Sequence, residues 1–153
     1  KVFIDRGATH GVVPGSPVIN EAGVLGQVTQ VYALNAEVTL LTDKESAVTA
    51  KDQRTGAIGI VRHSQGPEDL LFLDHVFKNK VVNTGDIVVT AGKQSGKKLS
   101  SFYPRGVPIG QVTKVGQTDV DPFQDVQVMP FVDFTSLDVV LVLASKKPRP
   151  QMP

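Results

Sequence analysis

Cysteine and tryptophan are absent from these 153 residues, and tyrosine and methionine occur only twice each. Without thiols there is no disulfide framework, no cysteine-ligated zinc, no iron–sulfur cluster and no thiol nucleophile. Without tryptophan, and with two tyrosines, a carbohydrate-binding module built on a row of exposed aromatics has little support. Charge of one sign is missing too: 16 basic against 15 acidic residues leave a formal net charge of +1. That balance argues against nucleic acid, which demands a basic face. The longest uninterrupted apolar run, Val139 to Ala144, is far short of the roughly 20 residues that cross a bilayer. No signal peptide is visible. The chain opens at Lys1 directly in strand-like sequence, and we read it as a piece of a longer protein.

What is present is β sequence from end to end. Valine alone supplies 25 residues, and its branched Cβ fits a pleated surface. The pattern predicts strands at Val2–Asp5, Pro17–Asn20, Val24–Tyr32, Glu37–Leu41, Ser46–Ala50 and Ala57–Arg62. Five more follow at Leu70–Asp74, Asp86–Thr90, Pro108–Val115, Asp125–Val132 and Val139–Ala144. Turn formers such as Pro14-Gly15 and Thr84-Gly85-Asp86 separate them. Many short strands with regular turns imply a sandwich or barrel, and the only helical signal is a short turn near Asp133–Leu137. Gly26–Val31 and Asp125–Met129 alternate apolar with polar, so one face of each meets a core and the other meets water. Val139–Leu143 is apolar throughout, which predicts a strand covered on both faces.

The most informative feature is an internal duplication. Gly26-Gln27-Val28-Thr29-Gln30-Val31 recurs as Gly110-Gln111-Val112-Thr113-Lys114-Val115. Pro14–Ile19 has a partner in Thr84–Val89, Glu37–Leu40 in Asp125–Val128, and Asp43–Ser46 in Asp133–Ser136. An ordered set of four matches implies two similar β units. Units this small cannot bury much as flat sheets, so each should curl towards a closed barrel. The expected fold is all-β, two small β-barrel subdomains related by internal duplication. The first spans 1–80, the second 81–145, and 146–153 is a disordered Pro/Lys-rich tail. Segment 51–80 has no counterpart and could be shared with either barrel. Gly15, Gly26, Gly85 and Gly110 are the expected structural glycines, placed where a turn or a close backbone approach excludes a side chain.

A search for catalytic chemistry finds little. His10, His63 and His75 are dispersed and match no metal-site spacing. Gln94-Ser95-Gly96-Lys97 is the nearest approach to a nucleophile turn and lacks the Gly-Asp-Ser-Gly-Gly type of context. Glu68-Asp69 and the Asp119/Asp121 pair read as solvated turn residues, and Gly7–Gly11 is not a phosphate loop. The sequence therefore predicts no catalytic, cofactor or metal site. The alternative is a chymotrypsin-like double-barrel hydrolase, active or degenerate, which needs a Ser, a His and an Asp converging between the barrels. More suggestive is a basic run, Lys93, Lys97, Lys98 and Arg105, around an exposed-looking Phe102-Tyr103. Aromatics flanked by basic groups favour protein interfaces, so Phe102, Tyr103, Arg105 and Phe123 are the candidate partner-binding residues.

Several segments together resemble the extracytoplasmic region of the rod shape-determining MreC family. They are Ile4–Gly7, Gly11–Ile19, Gly23–Val28, Leu40–Asp43, Gly85–Gly92 and Tyr103–Val112, in that order. Tyr103 stands where the family commonly has Phe, and Ala91 where Ser is common. The resemblance implies two β-barrel subdomains preceded, in the full protein, by a transmembrane helix and a coiled-coil helix that supports dimerisation. It implies a non-enzymatic scaffold of the cell-elongation machinery outside the cytoplasmic membrane. The partners it implies are a class B penicillin-binding protein, RodA, MreD and MreB, together with self-association into dimers or filaments. No cofactor and no nucleic acid is implied.

Overall fold

The computed structural model describes residues 1–63, 70–92, 103–116, 120, 122–137 and 139–143. Eleven strands are formed: β1 (Val2–Ile4), β2 (Pro17–Asn20), β3 (Gly23–Val31), β4 (Ala36–Leu40), β5 (Val48–Asp52), β6 (Ile58–His63), β7 (Leu71–Phe77), β8 (Ile87–Thr90), β9 (Pro108–Gly116), β10 (Phe123–Pro130) and β11 (Leu141–Val142). One 3-10 turn at Ala8–His10 is the only helical element among the described residues. Asp133–Leu137, predicted as a helical turn, is a plain turn.

The strands divide into two sheets. One is a five-stranded half-barrel ordered β1-β4-β3-β2-β11, and the other is a closed barrel ordered β10-β7-β6-β5-β8-β9. The expected boundary at residue 80 does not follow the sheets. Strands β5, β6 and β7, within 48–77, belong to the closed barrel, whereas β11 returns to the half-barrel. Chain proximity therefore does not decide which sheet a strand joins. The tail at 146–153 lies outside the described residues.

The duplication is visible bond by bond. Gly15 N–H donates to the Val28 carbonyl at 2.7 Å, and Gly85 N–H to Val112 at 2.8 Å. Val28 and Val112 return the bond to Ser16 and Asp86, each at 2.9 Å. Leu41 N–H reaches Leu25 and Phe131 N–H reaches Ile109, at 2.8 and 3.0 Å. Strands β2-β3-β4 thus repeat as β8-β9-β10. Gly15 and Gly85 have φ of +92° and +96°, the left-handed region that favours glycine. Gly26 and Gly110 serve differently: a Cβ there would collide with the Thr39 or Met129 carbonyl of the neighbouring strand.

The fourth strands are exchanged. β5 follows the first repeat yet pairs with β8 of the second, and β11 follows the second repeat yet pairs with β2 of the first. Each unit is completed by the other's last strand.

Alternation built the core as expected. Leu71, Leu73 and Val76 on β7, with Val126 and Val128 on β10, are fully buried in the barrel interior. Each such side chain contributes roughly 1.5–3 kcal/mol. A second cluster holds Val18, Leu25, Val28 and Val38 of the half-barrel. Val24 of β3 belongs to the barrel cluster and Phe134 packs on both, so the two sheets share apolar contact. The prediction for Val139–Leu143 fails: Val139 is 80% exposed and Leu141 is exposed. Among the described residues β11 pairs only with β2, at the rim of the half-barrel, and its outer face stays exposed at Leu141.

Candidate protein-interaction site

Strand β7 carries the feature that shapes the site. Its pairing with β10 slips between Gln124 and Val126, so that Asp74 and His75 together oppose Asp125. His75 occupies the extra position with φ of +64°, the only non-glycine residue described at positive φ. For a side chain other than glycine that conformation costs roughly 1–2 kcal/mol. Such a bulge bends its strand and re-aims the side chains around it. The pairing of β7 with β6 runs only as far as Asp74 opposite Ile60, leaving Ile58 and Gly59 beyond its end.

Three rings line the bent segment. His75 meets Phe123 edge-on with centroids 5.1 Å apart, and Phe77 lies tilted 4.9 Å from the same ring. Phe77 remains 58% exposed and Ile58 49%. Between them opens a depression of about 170 Å³, floored by Ala57 and Val76 and rimmed by Asn79 and Lys80.

Two buried polar side chains fix its walls. Gln124, almost wholly buried, donates from Nε2 to the carbonyls of Phe77 (3.0 Å) and Lys80 (2.7 Å), pinning the turn after β7. Opposite, Asp52 accepts the N–H groups of Arg54 (2.8 Å) and Thr55 (3.2 Å) on Oδ1, which shapes the turn leading to Gly56 and Ala57. Arg54 grips Asp86 with two bonds, Nε to Oδ1 at 2.9 Å and Nη2 to Oδ2 at 3.0 Å. That guanidinium holds the Asp86 carboxyl well below the usual carboxylate range. Burial, with the hydrogen bond to Asp86, pushes the Asp52 carboxyl up.

The sequence-predicted partner-binding residues are not assembled in one place. Phe102 lies outside the described residues, as do Gln94–Lys97, Glu68-Asp69, Asp119 and Asp121. Tyr103 is 3% exposed and packs in the barrel core, correcting the expectation of an exposed ring; burial pushes its phenol above its ordinary value. Its segment is strapped inward by buried Thr90, whose hydroxyl donates to the Pro104 carbonyl (2.5 Å) and accepts the Val107 N–H (2.9 Å). Arg105 is exposed at the tip of that strap, against Gly92. Phe123 is half-buried and starts β10, whereas Arg105 precedes β9; the two sit at opposite ends of the β9–β10 pair. At about 3.3 Å per residue, nine residues of β9 hold those ends on the order of 25–30 Å apart.

Sequence reasoning missed His75, Phe77 and Ile58. Phe77 faces outward because the bulge shifts the alternation of β7, which no local signal marks, whereas Ile58 lies on the outer face of β6 by alternation with buried Gly59 and Val61. The histidines lie apart: His10 Nδ1 accepts the Gly7 N–H at 3.0 Å in the half-barrel, His63 ends β6, and His75 sits on the bulge. Among the described residues no three His, Asp or Glu side chains stand close enough to hold a metal ion. No described helix is long and apolar enough to cross a membrane.

These features define the class: an all-β, doubled-barrel protein whose distinctive surface is apolar. Comparison with known proteins supplies the family. The family model described as rod shape-determining protein MreC, barrel core, matches residues 1–144, and the chain belongs to that family. It is 32% identical over 143 residues to the cell shape-determining protein MreC of Escherichia coli, covering 94% of this chain. That alignment spans only 37% of the relative's length. The solved MreC of Listeria monocytogenes superposes with a TM-score of 0.81 at 32% identity, covering 94% of this chain and 67% of that one. Another neighbour, at TM-score 0.72 and 25% identity over 90% of this chain and 83% of that one, is named as the major periplasmic domain of the cell shape-determining filament MreC. A complex between penicillin-binding protein PBP2 and MreC from Helicobacter pylori shares the fold, with TM-score 0.64 at 17% identity over 82% of this chain and 74% of that one.

Proposed function

We propose that this chain is a non-enzymatic scaffold of the bacterial cell-elongation machinery. It acts outside the cytoplasmic membrane, where it binds and organises peptidoglycan synthases and so maintains rod shape. The observation that carries this reading is membership of the MreC family across residues 1–144, joined to a neighbour named as a complex with a penicillin-binding protein. A neighbour named as a periplasmic domain supports the location. Its partners on this reading are a class B penicillin-binding protein, with RodA, MreD and MreB engaged directly or through the assembled complex, and further copies of itself.

The fold supports a binding role physically. Closed and half-closed barrels present rigid surfaces, and rigid apolar anchors lose little entropy on docking. Arg105 at one end of the barrel and Phe123 at the other are the two exposed or half-exposed candidates available to a partner. Calorimetric titration with the extracytoplasmic part of a cognate class B penicillin-binding protein tests the reading. Saturable binding in roughly the micromolar range is the expected result, weakened by Phe123→Ala or Arg105→Ala. Absence of any complex, in calorimetry and in co-sedimentation alike, overturns it.

A further inference from the structure

We propose that the depression between Ile58 and Phe77 is a docking groove for one large apolar side chain, carried on an acidic segment of a partner protein. The inference rests on the scaffold reading above and names where, and by what chemistry, a partner is gripped.

Four observations carry it. First, the groove has the right size: about 170 Å³, against the roughly 150 Å³ of aliphatic-lined space that accepts a benzene ring. Second, its surface is apolar, with Ile58 and Phe77 on its sides and Ala57 and Val76 beneath. Two large apolar side chains left half in water on adjacent strands are what a buried anchor would cover. Third, it is built rather than incidental. Gln124 pins one wall through two carbonyls, Asp52 the other through two N–H groups, and the bulge at left-handed His75 turns Phe77 outward to form its side. A strained backbone held in place by buried bonds is preorganised, so little is lost when a ligand enters.

The fourth observation selects the occupant. The groove is rimmed by the Lys80 side chain, whose ammonium lies 3.7 Å from where a Cβ on Gly56 would stand, at the mouth. Among the described residues that line the groove there is no carboxylate, and Asp52 and Asp86 are engaged with the turn and with Arg54. An apolar anchor with a carboxylate beside it matches this arrangement: the ring or aliphatic chain fills the depression and the carboxylate meets Lys80.

The test uses the chain uniformly labelled with ¹⁵N and three probes: N-acetyl-phenylalanine, its uncharged amide, and N-acetyl-alanine. Expected are saturable shifts of the Gly56, Ile58, Phe77 and Lys80 amides with the carboxylate form. The amide should bind severalfold more weakly at low salt, and the alanine derivative should not bind. Lys80→Gln should erase the preference for the carboxylate while leaving the amide's binding intact. Ile58→Glu should abolish both and, at an exposed position, keep a folded spectrum. Shifts elsewhere on the surface, no saturation, or equal affinity for the charged and neutral probes would overturn the proposal. So would groove resonances that move on dilution of the chain alone, because the occupant would then be a second copy. Binding of the penicillin-binding protein that survives both variants leaves the scaffold reading standing and overturns the groove as its docking site. Probe binding without any penicillin-binding protein complex does the reverse.

Discussion

Asp52 and Asp86 form a buried carboxyl pair in which only one member has a counter-charge. Asp52, at the end of β5, is wholly buried beside Asp86, which immediately precedes β8, while Arg54 clamps Asp86 alone. The two residues join the exchanged strand β5 to the repeat that receives it. An unpaired buried charge is costly, and a proton on Asp52 donated to ionised Asp86 removes it.

Asp52→Asn should therefore be tolerated. The amide oxygen can still accept from Arg54 and Thr55, and its NH₂ can donate to Asp86 as the protonated acid does. Thermal melts at pH 7–8 should show no loss of stability and a modest gain. Asp52→Ala removes the turn acceptor and should cost about 1–2 kcal/mol. A large destabilisation by Asn would show that Asp52 works as an ionised group.

The pair also sets the pH response. Asp52 has a folded-state value raised above its ordinary 3.8, so it binds its proton more tightly when folded. Its contribution is fully present below that ordinary value and is lost as pH rises through the raised one. Asp86 is lowered, so its contribution is present above 3.8 and is lost as pH falls through the acid range. Stability should peak in mildly acidic solution and fall on both sides. Denaturant midpoints across pH 3–9 should show this, and Asp52→Asn should flatten only the alkaline limb.

The paired glycines should separate into two grades. Gly26→Ala and Gly110→Ala push a Cβ into a neighbouring carbonyl, so two strands must part, and each should cost at least about 2 kcal/mol. Gly85→Ala meets open space and bears only the left-handed backbone, about 1 kcal/mol. Urea melts of the three variants rank them; equal losses would refute the distinction.

Tyr103 and Arg105, adjacent in the basic–aromatic run, should behave oppositely. Tyr103→Ala empties a core position and should cost about 3–5 kcal/mol, with a fall in Tm on the order of 10 °C. Any loss of partner binding in that variant would follow unfolding. Arg105→Ala should stay within about 0.5 kcal/mol of the parent, so a binding defect there would report on the surface itself.

Much of the fold was legible because its signals are local. Pro17–Asn20 was read to the residue, and no other strand limit moved by more than three positions. The duplication was readable from the Gly26 and Gly110 hexapeptides and from their flanking turns, which the hydrogen bonds at Gly15 and Gly85 reproduce. The site was far less legible. Tyr103 looks exposed beside lysines, yet Thr90, on the neighbouring strand, strapped its segment inward. Phe77 carries no mark of its own, and His75 is unremarkable until its φ is known.

By itself, then, the chain's sequence determined the strands, the turns between them and the existence of two matching units. Those depend on side-chain alternation and on turn chemistry within a few residues. Tertiary structure decided that β5 and β11 change places, that residues 48–77 complete the closed barrel, and that a bulge at His75 turns Phe77 outward. Hydrogen-bonded pairing between strands distant in the chain carries no local signature. Every strand here presents the same row of N–H and C=O groups, and only the packing of the whole core selects which rows meet.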